Sequence, residues 1–170
     1  TRPDHEAAIA NPNMAHFIIE RCAKESQGAQ ALANRALANQ ASADQTAKPS
    51  HQSVGYLILE DLTHPHHNIQ IRRIVVTEKG QGHGRQSLRL AKQLAFETYG
   101  AYRLWLDVKP YNSRAKHLYE SEGFVVEGTL RDCVQLNESH HLYRDQGQRR
   151  ASLTIMTLLR PEYESSNLDS

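Results

Sequence analysis

Six residues carry the first chemical signal: Lys79-Gly80-Gln81-Gly82-His83-Gly84, three glycines at alternate positions. Glycine costs conformational entropy, so an alternating run implies a backbone that no side chain would permit. One use is close approach of main-chain N–H groups to an anion at a helix N-terminus, where the first amides lack partners. The inferred ligand therefore carries phosphate. A Walker A loop would end in Gly-Lys-Ser/Thr, but Gly84 is followed by Arg85-Gln86. A dinucleotide fingerprint would need glycine where Arg85 stands after Gly80 and Gly82, although Asp107 sits near the place of a ribose-binding acid. Taken alone, the glycines fit a ligand-free connection equally well.

The second signal is Asn112-Ser-Arg-Ala-Lys-His-Leu-Tyr-Glu-Ser-Glu-Gly-Phe124. Asn112 is a good helix N-cap, Gly123 suits the left-handed position past the helix end, and Phe124 can fold back on Tyr119. The sequence between the two motifs, Tyr102-Arg-Leu-Trp-Leu-Asp-Val108, reads as one strand.

Together the motifs resemble those of the Gcn5-related N-acetyltransferase (GNAT) family. The first resembles its acetyl-CoA loop, Gln/Arg-x-x-Gly-x-Gly/Ala, with Lys79 in the first place. The second matches Asn-x-x-Ala-x-x-x-Tyr-x-x-x-Gly-Phe at every position. The resemblance covers roughly residues 54–160, and the C-terminal third looks like the ribosomal-protein and antibiotic acetyltransferase branch. It implies a GNAT-like acyl-CoA N-acyltransferase fold of the α/β class (α+β, mixed sheet). Acetyl-CoA would be the co-substrate and an amine the acceptor. By the same resemblance the cofactor would be held by the main chain of Ile74, Val75 and Val76, the loop Lys79 to Arg85, Asn112 and Ala115. Lys79 and Arg85 would meet the pyrophosphate, and Arg114 or Lys116 the 3′-phosphate.

Acetyl transfer needs a neutral amine, a stabilised oxyanion and a protonated leaving thiolate. A thiol titrates near about 8.5, so a nearby phenol can serve as its proton donor. Tyr119, the family's usual general acid, takes that role by resemblance. The base is less evident: Gln70 stands where many relatives carry glutamate, and an amide takes no proton at neutral pH. A water chain, His67, His16 or Glu60 could substitute. Without any of them the chain would be a catalytically weak acyl-CoA-binding domain.

The elements that must position these groups read in chain order. His16–Glu20, Val54–Glu60 and Ile69–Val76 are strands of an antiparallel meander. Within the third, apolar parity switches from Ile69 and Ile71 to Ile74 and Val76, which predicts a β-bulge near Arg72-Arg73. A helix follows the glycines, with Leu88, Ala91, Leu94 and Ala95 on one face. The 102–108 strand should lie parallel to the third, through a right-handed crossover. Residues 124–132 and 151–159 read as a closing hairpin around a polar 136–150 loop.

A chain of 170 residues suits a single domain, here residues 1–163 with a polar tail at 164–170. Twenty basic and 19 acidic residues leave a net charge of +1, which announces no nucleic-acid surface. No apolar run approaches the ~20 residues that span a bilayer. Two cysteines make no disulfide framework, and a reducing cytoplasm is expected. His64, His66 and His67, like His140 and His141, lack the spacing of a metal site. The Ala/Gln-rich stretch 21–53 reads as an insertion. Only 15 residues precede the first strand, too few for the strand and two helices with which GNAT domains begin. The chain would then be a truncated form, or its acceptor pocket would be open or completed by a partner subunit such as a second copy.

Overall fold

The computed structural model describes residues 11–22, 51–136 and 149–168. In chain order these form β1 (Met14–Cys22), β2 (His51–Glu60), β3 (Asn68–Val76), α1 (His83–Gln93), β4 (Arg103–Val108), α2 (Ser113–Ser121), β5 (Val125–Gln135), β6 (Arg150–Leu159) and α3 (Arg160–Leu168). Most of the expected insertion, the His140-His141 pair and the body of the polar loop lie outside the described residues.

The strands make one mixed sheet in the order β1-β2-β3-β4-β6-β5. β1, β2 and β3 form the expected antiparallel meander, β4 runs parallel to β3, and β5 and β6 pair antiparallel. One face is apolar because period-2 alternation puts it there. Leu57 and Leu59 of β2, Ile69 and Ile71 of β3, and Leu104 and Leu106 of β4 are buried on it against Leu88, Ala91, Ala95 and Phe96. α1 runs on into a single π turn, Leu94–Thr98, which brings Phe96 beneath the sheet.

The bulge falls where the parity switch predicts it. Ile58 opposes Arg73 while Leu59 opposes Ile71, which leaves Arg72 as the inserted residue. The extra residue keeps Ile74 on the core side after the phase change. Residues 164–168, expected as tail, instead continue α3. Its Tyr163 stacks on Phe96 at 4.6 Å and donates to Glu97 Oε1 at 2.6 Å, an anchor that composition alone does not reveal.

Candidate active site

The site begins where β3 and β4 stop pairing. Their parallel ladder holds only Asn68↔Arg103, Ile69↔Leu104 and Gln70↔Trp105. The bulge at Arg72 comes next on β3, and its local twist carries the strand away from β4. Beyond Gln70 the edge of β3 therefore faces a gap.

Which main-chain groups face that gap follows from the ladder on the other side. Thr77 N–H donates to Val54 C=O at 2.8 Å, so Val54 and Thr77 are a hydrogen-bonded pair. Such pairs alternate in an antiparallel ladder, which makes Tyr56 and Val75 the next one. The N–H and C=O of Val75 are thus committed to β2, and those of Ile74 and Val76 point into the gap. This revises the expectation for three consecutive residues: Ile74 and Val76 can receive a ligand along the strand edge, and Val75 cannot.

At the mouth of the gap lies the glycine turn. Gly80 and Gly82 have φ of 87° and 81°, in the left-handed region, with open space where a Cβ would stand. They are glycines for backbone reasons. Gly82 is the N-cap of α1, and no side chain caps that end. The first-turn amides of His83, Gly84 and Arg85 therefore present an uncapped donor cluster with the helix dipole behind it. Lys79 and Gln81 are exposed on the same loop. His83 is largely buried, with its Nε2 3.6 Å from Glu78 Oε2. These features fit a diphosphate ligand.

Arg85 does not stand free for that ligand. Its Nη1 donates to Glu122 Oε1 at 2.5 Å, so the residue offers the loop its amide rather than its guanidinium. Lys116 lies 3.8 Å from Glu120, while Arg114 is exposed. Asn112 caps α2 as expected, accepting from Ala115 N–H at 3.2 Å. Its side chain thus fixes the Ala115 amide on itself.

Tyr119 sits on the half-buried face of α2, against the core cluster. The helix end is secured by Gly123 at φ 93°, with Phe124 N–H reaching Tyr119 C=O at 3.0 Å and Gly123 N–H reaching Glu120 C=O at 3.1 Å. The Phe124 ring lies 6.1 Å from that of Tyr119. Burial, and then the charge of Asp107, push the phenol above its ordinary value of 10.0. Tyr119 is accordingly neutral at physiological pH, as a proton donor must be.

Asp107 is the residue that sequence reasoning passed over, having weighed it only as a ribose-binding acid. Leu104, Leu106 and Val108 turn to the core, which sets Trp105 and Asp107 on the opposite face of β4. The parallel register brings Gln70 to that face, where its Nε2 donates to Asp107 Oδ1 at 3.3 Å. The glutamine in the place of a basic glutamate therefore orients a carboxylate on the next strand. The strand's own alternation was the available signal. His67 lies in the turn before β3, where its carbonyl accepts from Tyr102 and Arg103, at the closed end of the pair. Glu60 is engaged by Arg72 at 3.5 Å. Among the described residues, no three His, Cys, Asp or Glu side chains are grouped as a metal ion would need.

A splayed parallel pair, an uncapped glycine turn and a half-buried phenol are what this part of the sheet offers a ligand. Residues 15–124 match the acetyltransferase (GNAT) family, and the chain belongs to it. Among curated proteins it is similar to spermidine N(1)-acetyltransferase of Escherichia coli K12, 31% identical over 80 residues. That match covers 46% of this chain and 43% of the relative, so the chain is matched over less than half of the relative's length. The enzyme of the same name from Vibrio cholerae is 31% identical over 78 residues, 45% of each chain. Among solved structures, a chimera of the spermidine N-acetyltransferase SpeG from Vibrio cholerae and hSSAT superposes with a TM-score of 0.66 at 20% identity. It spans 95% of this chain and 78% of that one. The Vibrio cholerae spermidine N-acetyltransferase in complex with CoA and spermine gives 0.57 at 24%, over 66% and 61% of the two chains. These likenesses establish the fold. The relatives named here are spermidine acetyltransferases, not specifically the expected ribosomal-protein and antibiotic branch.

Proposed function

We propose that the chain is an acetyl-CoA-dependent N-acetyltransferase acting on a primary amine, with a polyamine as the first acceptor to test. The observation that carries the reading is the end of β3–β4 pairing at Gln70↔Trp105, beside an uncapped helix N-terminus and a half-buried phenol. The acceptor class is suggested by the relatives named above and by the Asp107 carboxylate, which favours a cationic ligand. When bound, acetyl-CoA supplies the thioester acetyl group. Ile74 and Val76 would hold its arm as an added strand, and the amides of His83 to Arg85 its diphosphate.

The residues then divide the proton work. The acceptor nitrogen, having shed its ammonium proton to solvent, attacks the thioester carbonyl carbon as the neutral amine and gives a second proton to Asp107. As the new C–N bond forms and the C–S bond breaks, Tyr119 passes its phenolic proton to the departing sulfur. The proton on Asp107 returns to the phenolate, and the acetylated amine and free thiol leave. The main-chain N–H of Val76 would stabilise the oxyanion.

The test pairs binding with turnover. Acetyl-CoA, and not NAD, should raise the melting temperature, and spermidine or spermine should release free thiol. Tyr119→Phe should keep binding and lose most of the turnover. If acetyl-CoA binds while every amine stays at background in both forms, the weak acyl-CoA-binding domain takes the place of the enzyme. No described helix is long and apolar enough to cross a membrane. A dodecameric structure of the Vibrio cholerae relative makes self-association, expected as a homodimer, a question for light scattering.

A further inference from the structure

The acetyltransferase reading makes no use of Glu122, a carboxylate with only 4% of its side chain exposed. Three cations from successive turns of α1 converge on it. Arg85 Nη1 donates to Oε1 at 2.5 Å, Arg89 Nε to Oε1 and Oε2 at 3.2 and 3.1 Å, and Lys92 Nζ to Oε2 at 2.9 Å. Lys92 Nζ also donates to the Glu122 carbonyl at 3.0 Å. The amide of Glu122 in turn donates to the Leu118 and Tyr119 carbonyls at 3.1 Å each. One residue therefore joins the helix that opens at the glycine turn to the helix end that carries the phenol.

Energy alone gives no reason for this design. A buried ion pair gains little over well-packed apolar side chains, because each charge must be stripped of water. What it adds is direction, since each cation satisfies the carboxylate only at one angle and distance. α2 needs such a constraint: none of its residues is fully buried, and only Ala115, Leu118 and Tyr119 lean on the core. Its apolar link to the start of α1 is Leu118 Cδ2, 3.6 Å from where a Cβ on Gly84 would stand.

Resting on the acetyltransferase reading, we infer that Glu122 is a positioning residue: through the three cations of α1 it fixes the Tyr119 phenol relative to the diphosphate loop. Glu122→Gln keeps the shape and removes the charge that holds them. In the full chain its kcat should fall about tenfold or more, while KM for acetyl-CoA changes less than about threefold. Adding Tyr119→Phe to Glu122→Gln should cost much less than it costs in the wild type, because both changes disable the same proton transfer. A merely structural strap predicts a lower melting temperature with kcat preserved at temperatures where the variant is folded, and losses that multiply.

Amide hydrogen exchange supplies a readout without turnover. Acetyl-CoA should protect residues 117–121 along with the 80–86 loop in the wild type, and the loop alone in Glu122→Gln. Equal protection of α2 in both proteins overturns the inference, as does an unchanged kcat. If the wild type binds acetyl-CoA but acetylates no amine, the reaction is lost and the exchange comparison still decides the role of Glu122. A wild type that does not bind acetyl-CoA removes both. Should Glu122→Gln fail to fold, Arg89→Gln leaves two cations in place and takes the same measurements with smaller changes.

Discussion

Gly55 on β2 offers a perturbation that touches no ligand and still reaches the site. A Cβ built on it lies 2.1 Å from the Val75 carbonyl oxygen, 3.1 Å from the Val75 carbonyl carbon and 3.2 Å from the Val76 Cα. All three are backbone atoms, so no side chain can swing aside. Ordinary contact begins near 3.4 Å, and Gly55→Ala must therefore push β2 and β3 apart by about 1.3 Å at that point. A hydrogen bond stretched by ~1 Å is lost, and the Tyr56–Val75 pair holds two. At ~1 kcal/mol each, with ~1–3 kcal/mol for overpacking, the variant should lose about 3–5 kcal/mol. For a chain of this length that is a fall in Tm of roughly 6–20 °C. The same displacement moves Val76, whose main chain faces the gap, and ~1 Å of misplacement costs about a hundredfold in rate. Calorimetry and steady-state acetylation of a polyamine, measured well below the lowered Tm, test the two parts separately. A Gly55→Ala protein with wild-type Tm and turnover would show that the close approach of β2 to Val75 is not what shapes the cofactor edge.

The other residues of the site carry shorter tests. Asp107→Asn should lower kcat/KM for the amine by about 10²–10⁴-fold with acetyl-CoA binding retained, and should lower the phenol pKa by removing a charge that raises it. The pH profile of turnover reads both effects. Gly82→Ala should cost about 1–2 kcal/mol, because φ of 81° is strained for alanine although the space is open, and should weaken acetyl-CoA in thermal-shift titration. Asn112→Ala should cost about 0.5–2 kcal/mol in urea unfolding through loss of the α2 cap. Acid should destabilise the protein through Glu122. Burial alone would raise its carboxyl, but bonds from Arg89, Lys92 and Arg85 outweigh that and hold it below 4.5. The folded state then binds fewer protons than the unfolded one. The stability is present above the unfolded value and is lost as pH falls through the folded one, which urea midpoints from neutral pH down through about 4 would show.

Local rules made much of this fold readable. Parity along Ile69–Val76 located the bulge, Asn112 and Gly123 marked both ends of α2, and the glycines marked the turn where φ is positive. Each of these signals lies within a few residues of what it determines. What stayed hidden depends on register between distant segments. Gln70 meets Asp107 only because β3 and β4 align at Gln70↔Trp105, 35 residues apart in sequence. Arg85, expected at the pyrophosphate, instead shares Glu122 with Arg89 and Lys92, a convergence that depends on how α2 lies against α1. Gly55 is set apart only by the Val75 carbonyl that lies against it on another strand.

The same distinction explains how the site can be open and well defined at once. A parallel pair that ran its full length would satisfy the β3 edge and leave no donors for a ligand. The bulge ends the pairing by changing which way the β3 groups point, and β2 holds Val75 so that Ile74 and Val76 keep their direction. The exposed polar groups are thus the by-product of a ladder fixed on its other side, and their geometry is as rigid as that ladder. The groups given proton work in the proposal, Asp107 and Tyr119, come from β4 and the helix that follows it, and Gln70 reaches Asp107 from β3. The proposed acyl transfer would therefore depend on how far two strands diverge, and the residues that set that divergence, Arg72 and Gly55, need not touch either substrate.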